Sequence, residues 1–288
     1  MGAGLLFHRQ RKGADMLKQS IDLPGVGNAR ELGGYAVGDK RVKSGVLLRT
    51  ASLTKATPEA VERLRDEYHV QAIVDFRMGA EHESAPDPQV PGATNCHLKV
   101  VEMEDFPVPE DLNPKAFDLL KDPNANRMEL FDLSYDLGML GPRLYEGFVL
   151  GERGKEAFAA FFRLLLELED GRAILWHCTD GKDRTGCAAM LLLAALGADR
   201  ETIIEDYLLT NEYNAATIEA VRQKLAGSPM PPEKLEALLF ASGAVAESYI
   251  VHAMDVIDER YGSLDAYLRD ALGVGDAERA QLREKFLV

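Results

Sequence analysis

A histidine and a cysteine at 177 and 178, an arginine at 184 and a threonine at 185 stand in the run His177-Cys178-Thr179-Asp180-Gly181-Lys182-Asp183-Arg184-Thr185-Gly186. These types at these offsets suit attack by a thiolate on a phosphate monoester. Such a substrate carries two negative charges near neutral pH, and an anionic nucleophile reaches phosphorus only if that charge is offset. A short loop running into a helix offsets it with inward backbone N–H groups and the positive end of the helix dipole. Gly181 and Gly186 allow the turns such a loop requires. Arg184 adds a planar fork that meets two phosphate oxygens at once, which lysine does not. The same positive surroundings favour the Cys178 thiolate.

Each residue of the run then has an expected role. Cys178 attacks phosphorus and forms a cysteinyl-phosphate, splitting one difficult displacement into two. Asp183, beside Arg184, is the nearest carboxyl to protonate the leaving oxygen and later activate water. Thr185 would hydrogen-bond the departing thiolate in the second step. Thr179, Asp180, Gly181 and Lys182 line the phosphate, with Lys182 adding positive charge at the rim for substrates bearing further phosphates. No metal or other cofactor is needed.

Competing readings fit less well. A buried free cysteine beside a solvated turn explains the apolar flanks but not two glycines, Lys, Arg and Thr at these offsets. A Walker loop fails, because Gly181-Lys182 is followed by Asp183 and no glycine stands five residues before Gly181. Cys96-His97 and His177-Cys178 as four zinc ligands would need adjacent strand residues on one face, against strand geometry. His177 reads instead as a core histidine that orients the loop. A non-catalytic phosphate reader does not need the thiol, and a rhodanese-like sulfur transferase leaves Lys-Asp-Arg-Thr-Gly unexplained. Cys187 reads as inert packing, with a disulfide to Cys178 under oxidation as the alternative.

The elements around the loop must hold it. Ala173-Ile174-Leu175-Trp176 reads as a buried strand entering it, and the apolar run from Cys187 to Leu196 as a central helix leaving it and closing at Gly197. Further strands are expected at Tyr35–Val37, Val46–Arg49, Gln71–Phe76 and Thr94–Val100. Thr57 caps a helix that opens at Pro58. Phe158, Phe161, Phe162, Leu165 and Leu168 recur at helical spacing as a core-facing stripe, and the chain from Asp199 onward reads helical. The fold class is α/β: a central, mostly parallel sheet flanked by helices, with a helical C-terminal half. Residues 1–20 read as a flexible extension and 21–288 as one domain. Within it, 102–150, irregular and proline-bearing, reads as a helical lid over the phosphate site, or else as an extra packing layer. Asp132 and Asp136, about forty residues before the cysteine, are reserve acids.

The loop resembles the signature of the cysteine-dependent protein tyrosine phosphatase superfamily. Its fuller form, His-Cys-x-x-Gly-Lys-Asp-Arg-Thr-Gly, is similar to a bacterial branch typified by the mycobacterial tyrosine phosphatase B and related lipid phosphatases. Asn28-Ala29-Arg30-Glu31-Leu32-Gly33-Gly34-Tyr35, Leu48-Arg49-Thr50-Ala51 and Val74-Asp75-Phe76-Arg77 resemble further segments of that branch. So do Asp206-Tyr207-Leu208-Leu209-Thr210-Asn211 and Tyr261-Gly262-Ser263 to Leu272-Gly273. The resemblance implies a tyrosine-phosphatase-like fold, Cys178 as nucleophile, Arg184 on phosphate and Asp183 as acid. It extends the expected substrates from phosphotyrosine to phosphoserine/threonine and phosphoinositides. Asp75 becomes a second acid candidate, against the alternative of a strand-end carboxylate pairing Arg77. Glu31 departs from the branch's Asp. Asp180 stands where a small residue is usual and adds negative charge to an anion site, so it is expected to face outward or pair with a cation. Cys-x-Asp-x-x-Asp-Arg-Thr is also similar to Sac-type phosphoinositide phosphatases, though the rest of the chain fits the bacterial branch better.

Composition bounds the partners. With 288 residues, 46% of them hydrophobic, the chain can bury a substantial core. A net charge of −14 argues against nucleic acid and against adhesion to anionic membranes. Three cysteines make no disulfide framework and suit a reducing compartment. The first twenty residues hold no signal-peptide core and no apolar run is long enough to span a bilayer, so a cytoplasmic enzyme without a stable membrane anchor is expected. Export without a recognisable signal is the alternative, and the oligomeric state stays open.

Overall fold

The computed structural model describes residues 19–105, 119, 126–136 and 140–288. The expected flexible extension therefore lies, except for its last two residues, outside the described residues. Ser20 already bridges Arg30. Five strands form the main sheet: β1 (Arg30–Glu31), β4 (Leu47–Thr50), β5 (Val70–Asp75), β6 (Thr94–His97) and β7 (Ala173–His177), in the order β1-β4-β7-β5-β6. All pairings are parallel except β1 with β4. The short β2 (Ala36–Val37) and β3 (Lys40–Arg41) form a separate hairpin, whose far side pairs with the chain's end through Arg41 and Val288.

Parallel strands covered on both faces read as apolar runs, which is why Ala173-Ile174-Leu175-Trp176 is wholly buried. Alternation sends Ala173 and Leu175 to one side, with Leu53, Ala60 and Leu64. Ile174 and Trp176 go to the other, with Phe158, Phe161 and Leu191. The first layer contains α1 (Pro58–Asp66), capped by Thr57 with Pro58 at its first position, as expected. The short α2 (Gly79–Ser84) follows β5. After α3 (Arg127–Asp136) the larger layer begins with α4 (Pro142–Leu150), α5 (Glu152–Glu167) and α6 (Asp183–Leu196). It continues through α7 (Arg200–Leu208), α8 (Thr210–Tyr213), α9 (Ala215–Leu225), α10 (Pro232–Ala241), α11 (Glu247–Tyr261), α12 (Leu264–Leu272) and α13 (Asp276–Phe286).

Helix α6 is buried from Thr185 to Leu196 and ends at Gly197, whose φ of +96° is the left-handed cap. The phenylalanine stripe of α5 is buried against β7 and β5: Phe161 meets Trp176 at 5.3 Å and Phe76 at 5.6 Å between ring centroids. Two expectations shift. The strand at Thr94 stops at His97, because β6 is an edge strand paired only with β5. The segment read as a lid also divides. Pro142–Leu150 buries Tyr145, Phe148 and Val149 against α11, α5 and α6 and is a core helix. Part of the remainder lies outside the described residues. Its described helix α3 packs on α10, with Asp132 paired to Lys234 at 2.8 Å. No described helix is long and apolar enough to cross a membrane.

The register sets up one row. Thr50, His177, Asp75 and His97 lie side by side at the carboxyl ends of β4, β7, β5 and β6. Open α/β sheets present their binding crevice at that edge.

Candidate active site

The run 177–186 lies at this edge, as strand end, loop and first helical turn. Cys178 is the first residue past β7 and is 2% exposed. His177, fully buried, donates from Nδ1 to the Cys178 carbonyl at 3.1 Å, and its Nε2 faces Asp87 Oδ2 at 3.1 Å. It anchors the loop, as its core reading expects. Gly181 has φ +66°, and a Cβ there would lie 2.3 Å from the Thr50 carbonyl oxygen and 2.6 Å from the Ala51 nitrogen. Both neighbours are backbone and cannot swing away, so this position admits only glycine.

Arg184 opens α6 and meets a partner that the sequence does not announce. Glu81, on α2, takes the end of its guanidinium at 2.6 Å (Nη1 to Oε2) and 3.1 Å (Nη2 to Oε1). Nη1 also reaches the Phe76 carbonyl at 3.4 Å and Nη2 the Thr179 hydroxyl at 3.3 Å. Glu81 in turn accepts from Thr179 Oγ1 and from the Met78 amide. The Nε edge of Arg184 makes no hydrogen bond among the described residues, so the fork keeps one edge for an oxyanion. Burial alone would raise the Glu81 carboxyl, but the Arg184 charge and hydrogen bonds outweigh it and bring it to about 2. The pair is therefore complete above the ordinary carboxylate value and is lost only as pH falls toward 2. Burial would lower the Arg184 pKa, yet it is raised, by Glu81 first and the Cys178 sulfur second. The Cys178 sulfur thus lies within electrostatic reach of the guanidinium.

Asp183 lies on the other flank. The Tyr145 phenol donates to its Oδ1, Tyr145 and Tyr207 share a 2.5 Å hydrogen bond, and Lys182 Nζ is 3.4 Å from Oδ2. Burial and the nearby Asp183 charge push both phenols well above their ordinary pKa, so they stay protonated donors. Among the described residues Asp183 is the one carboxyl of the loop that accepts a side-chain hydrogen bond, from a Tyr145 phenol that is itself bonded to Tyr207. Tyr145 is on a helix within the segment 102–150, which in sequence reads as a lid or a packing layer and carries no signal tying it to this acid.

The other sequence candidates fall as follows. Thr185 Oγ1 is buried and makes no hydrogen bond among the described residues, while its carbonyl accepts from Trp176 Nε1 at 3.2 Å. Lys182 is not on the rim. It is 6% exposed and its Nζ donates to the Phe240 carbonyl near the end of α10. Asp180 is half-buried among Lys182, Asp183, Arg184 and Glu81, and burial pushes its carboxyl up. It neither faces outward nor makes a hydrogen bond or ion pair among the described residues.

Asp75 is bound in place. Arg77 Nε and Nη2 reach its oxygens at 2.9 and 2.8 Å, the Arg77 amide at 2.9 Å, and His82 Nδ1 at 2.8 Å. Against burial, these contacts and His177 hold the carboxyl well below the usual range. Such a group is a poor proton donor near neutrality, and the geometry favours the alternative of a strand-end carboxylate pairing Arg77. Asp132 is tied to Lys234, six residues and so about 9 Å along α10 from Phe240. Asp136 ends α3 with no ion pair among the described residues. Cys187 is fully buried, and burial followed by the Asp183 charge pushes its thiol well up, which fits inert packing.

Among the described residues two clusters could be asked to hold a metal, Asp75-His82-His97 and Asp75-Asp87-His177. Both share Asp75, whose Oδ2 already serves Arg77 and His82. A cation there would meet a guanidinium at hydrogen-bond range. His82 and His97 also stack at 4.2 Å with planes 18° apart, so their in-plane lone pairs run side by side instead of converging. Neither cluster fits an ion.

A sequence profile for the tyrosine phosphatase family matches residues 21–288. The chain is 35% identical over 263 residues to a Cupriavidus necator protein named as a tyrosine-protein phosphatase, covering 91% of this chain and 86% of that one. It is 27% identical over 276 residues to the triple specificity protein phosphatase PtpB of Mycobacterium tuberculosis, covering 91% and 97% respectively. A tyrosine-protein phosphatase of Nostoc commune matches over 129 residues at 28% identity, 44% of this chain and 42% of that protein.

Proposed function

This chain belongs to the tyrosine phosphatase family, and we propose that it removes phosphoryl groups through a cysteinyl-phosphate formed on Cys178. As a phosphatase it acts on phosphorylated substrates. The observation that carries the mechanism is the placement of Cys178 just past the end of β7 and of Arg184 in the first turn of α6, at the two ends of one short loop. In the first step the Cys178 thiolate attacks phosphorus and the bond to the leaving oxygen breaks. Protonated Asp183 gives that oxygen its proton. In the second step water attacks phosphorus, Asp183 takes back a proton, and the phosphorus–sulfur bond breaks to release inorganic phosphate and the thiolate. Thr185 Oγ1, without another hydrogen-bond partner among the described residues, is available to steady that thiolate. Arg184 grips the equatorial oxygens by its Nε edge while Glu81 fixes the other end.

Phosphotyrosine is the primary substrate class in this reading. The triple specificity for which PtpB is named supports extension to other phosphorylated groups. A phosphoinositide with a neighbouring phosphate would have to draw Lys182 away from Phe240. The enzyme acts on these substrates inside the cytoplasm, and residues 21–288 work as one catalytic domain.

The test is leaving-group dependence in Asp183→Asn. Loss of general acid catalysis costs about 10²- to 10⁴-fold, and the loss should be largest for alkyl phosphates and smallest for nitrophenyl phosphate, whose oxygen leaves unprotonated. A uniform, small loss across leaving groups would move the acid role elsewhere. Glu81→Gln keeps the shape but loosens the end-on grip, so kcat/KM should fall about tenfold to a hundredfold through a misaimed guanidinium. An unchanged value would mean that Arg184 needs no such brace.

A further inference from the structure

Three segments outside the loop meet behind it: Asn28-Ala29-Arg30, Arg49 at the end of β4, and Asp206 in α7. We propose that Asn28 and Arg49, held by Asp206, are positioning residues that turn the loop carbonyls of Asp180 and Gly181 away from the phosphate. That leaves the amides of residues 179–182 to face the oxyanion, so the proposal rests on the phosphatase reading above and assigns the residues that shape its cradle.

The hydrogen bonds run in one direction. The Cys178 carbonyl accepts from His177, and the Thr179 carbonyl from the Ser52 amide at 3.0 Å. Asn28 Nδ2 donates to the Asp180 carbonyl at 3.1 Å and to the Gly181 carbonyl at 2.9 Å. Arg49 Nη2 donates to the same Gly181 carbonyl at 3.0 Å. Four consecutive carbonyls are thus drawn outward, the first by the adjoining strand-end histidine and the next three by donors from distant segments. Among the described residues, none accepts a hydrogen bond from the amides of Thr179, Asp180, Gly181 or Lys182. Within a peptide plane C=O and N–H point opposite ways, so fixing the carbonyls outward aims amides inward.

Asn28 and Arg49 are themselves held. Asn28 has φ +50°, a conformation asparagine tolerates better than most residues. Its Oδ1 accepts from Arg30 Nη1. Asp206, 1% exposed, takes Arg49 Nη1 on Oδ2 and Arg30 Nε on Oδ1 at 3.5 Å, while Tyr35 donates to Oδ1 at 3.2 Å. Arg30 also reaches the Asp206 carbonyl at 3.1 Å and the Thr210 hydroxyl at 3.2 Å. Two guanidiniums against one carboxylate leave a net positive charge buried behind an anion site. Burial and the neighbouring Arg49 charge press Arg30 down to about 10. A purely structural cluster gains nothing from such an excess of charge, whereas a phosphate cradle does.

The test uses Asn28→Gly, which accepts the positive φ, and Asn28→Asp, which keeps the shape and the acceptor for Arg30 but loses the donor. Inhibition by vanadate and KM for nitrophenyl phosphate are measured beside the thermal midpoint. Both folded variants should bind vanadate at least about tenfold more weakly and show a raised KM, Asn28→Asp more so because it turns a carboxylate toward the loop. Equal vanadate inhibition and KM in either folded variant would overturn the proposal, whatever the thermal midpoint does. A parent protein that neither turns over nitrophenyl phosphate nor binds vanadate would instead refute the phosphatase reading itself.

Discussion

Cys178→Ser is expected to lose turnover by about 10⁴-fold or more while still binding vanadate and phosphorylated peptide. Losing a nucleophile commonly costs this much or more, and no other cysteine adjoins the loop except the buried Cys187. Serine differs by one atom, so the Gly181 turn and the outward carbonyls should persist. What it lacks is the sulfur's nucleophilicity, which a serine hydroxyl matches only with an adjacent general base. Nor can Cys187 replace it, being fully buried within α6 and held as a neutral thiol by burial and Asp183. Steady-state assays with nitrophenyl phosphate, and binding of a phosphotyrosine peptide by calorimetry, separate the two effects. Retained turnover would remove Cys178 from the chemistry. Lost binding would mean that the sulfur contributes to the cradle itself.

The parts of this site legible in the sequence are those within one contiguous stretch. The strand, loop and helix around Cys178 announce themselves because a buried parallel strand and a buried helix are apolar throughout, and the polar decapeptide between them has nowhere else to be. The braces escape because they are contacts between distant segments. Glu81 is 103 residues from Arg184 and Tyr145 is 38 from Asp183. Asn28 is 153 from Gly181. Nothing in the sequence distinguishes Glu81 from Glu83 or Glu62, since its role comes from where α2 is set down after β5. Lys182 illustrates the converse error. Its type and place suggest a rim cation, but the C-terminal helices cover it and supply the Phe240 carbonyl. Asp75 is open to two readings in sequence; in the fold the register sets it beside His177, and Arg77 and His82 hydrogen-bond it, so the donors hold it charged.

Arg184→Lys should lower kcat/KM about 10³-fold, a loss of about 4 kcal/mol of transition-state stabilisation, with the charge unchanged. The ammonium is a point charge on a flexible stem and cannot hold Glu81 with one edge while offering another to phosphate. Arg184→Ala should lose more, and for a second reason. Glu81 would keep its carboxylate beside Thr179, at the mouth of an anion site, after losing the cation that holds it near 2. Repulsion of phosphate then adds to the missing fork. The double variant Arg184→Ala/Glu81→Gln separates the two, since it should regain vanadate affinity over Arg184→Ala without regaining turnover. Inhibition constants and kcat for the three proteins decide the matter. If the double variant binds vanadate no better than Arg184→Ala, Glu81 does not face the phosphate once its partner is gone. If Arg184→Lys matches the parent in kcat/KM, charge alone suffices and the fork has no role in the transition state.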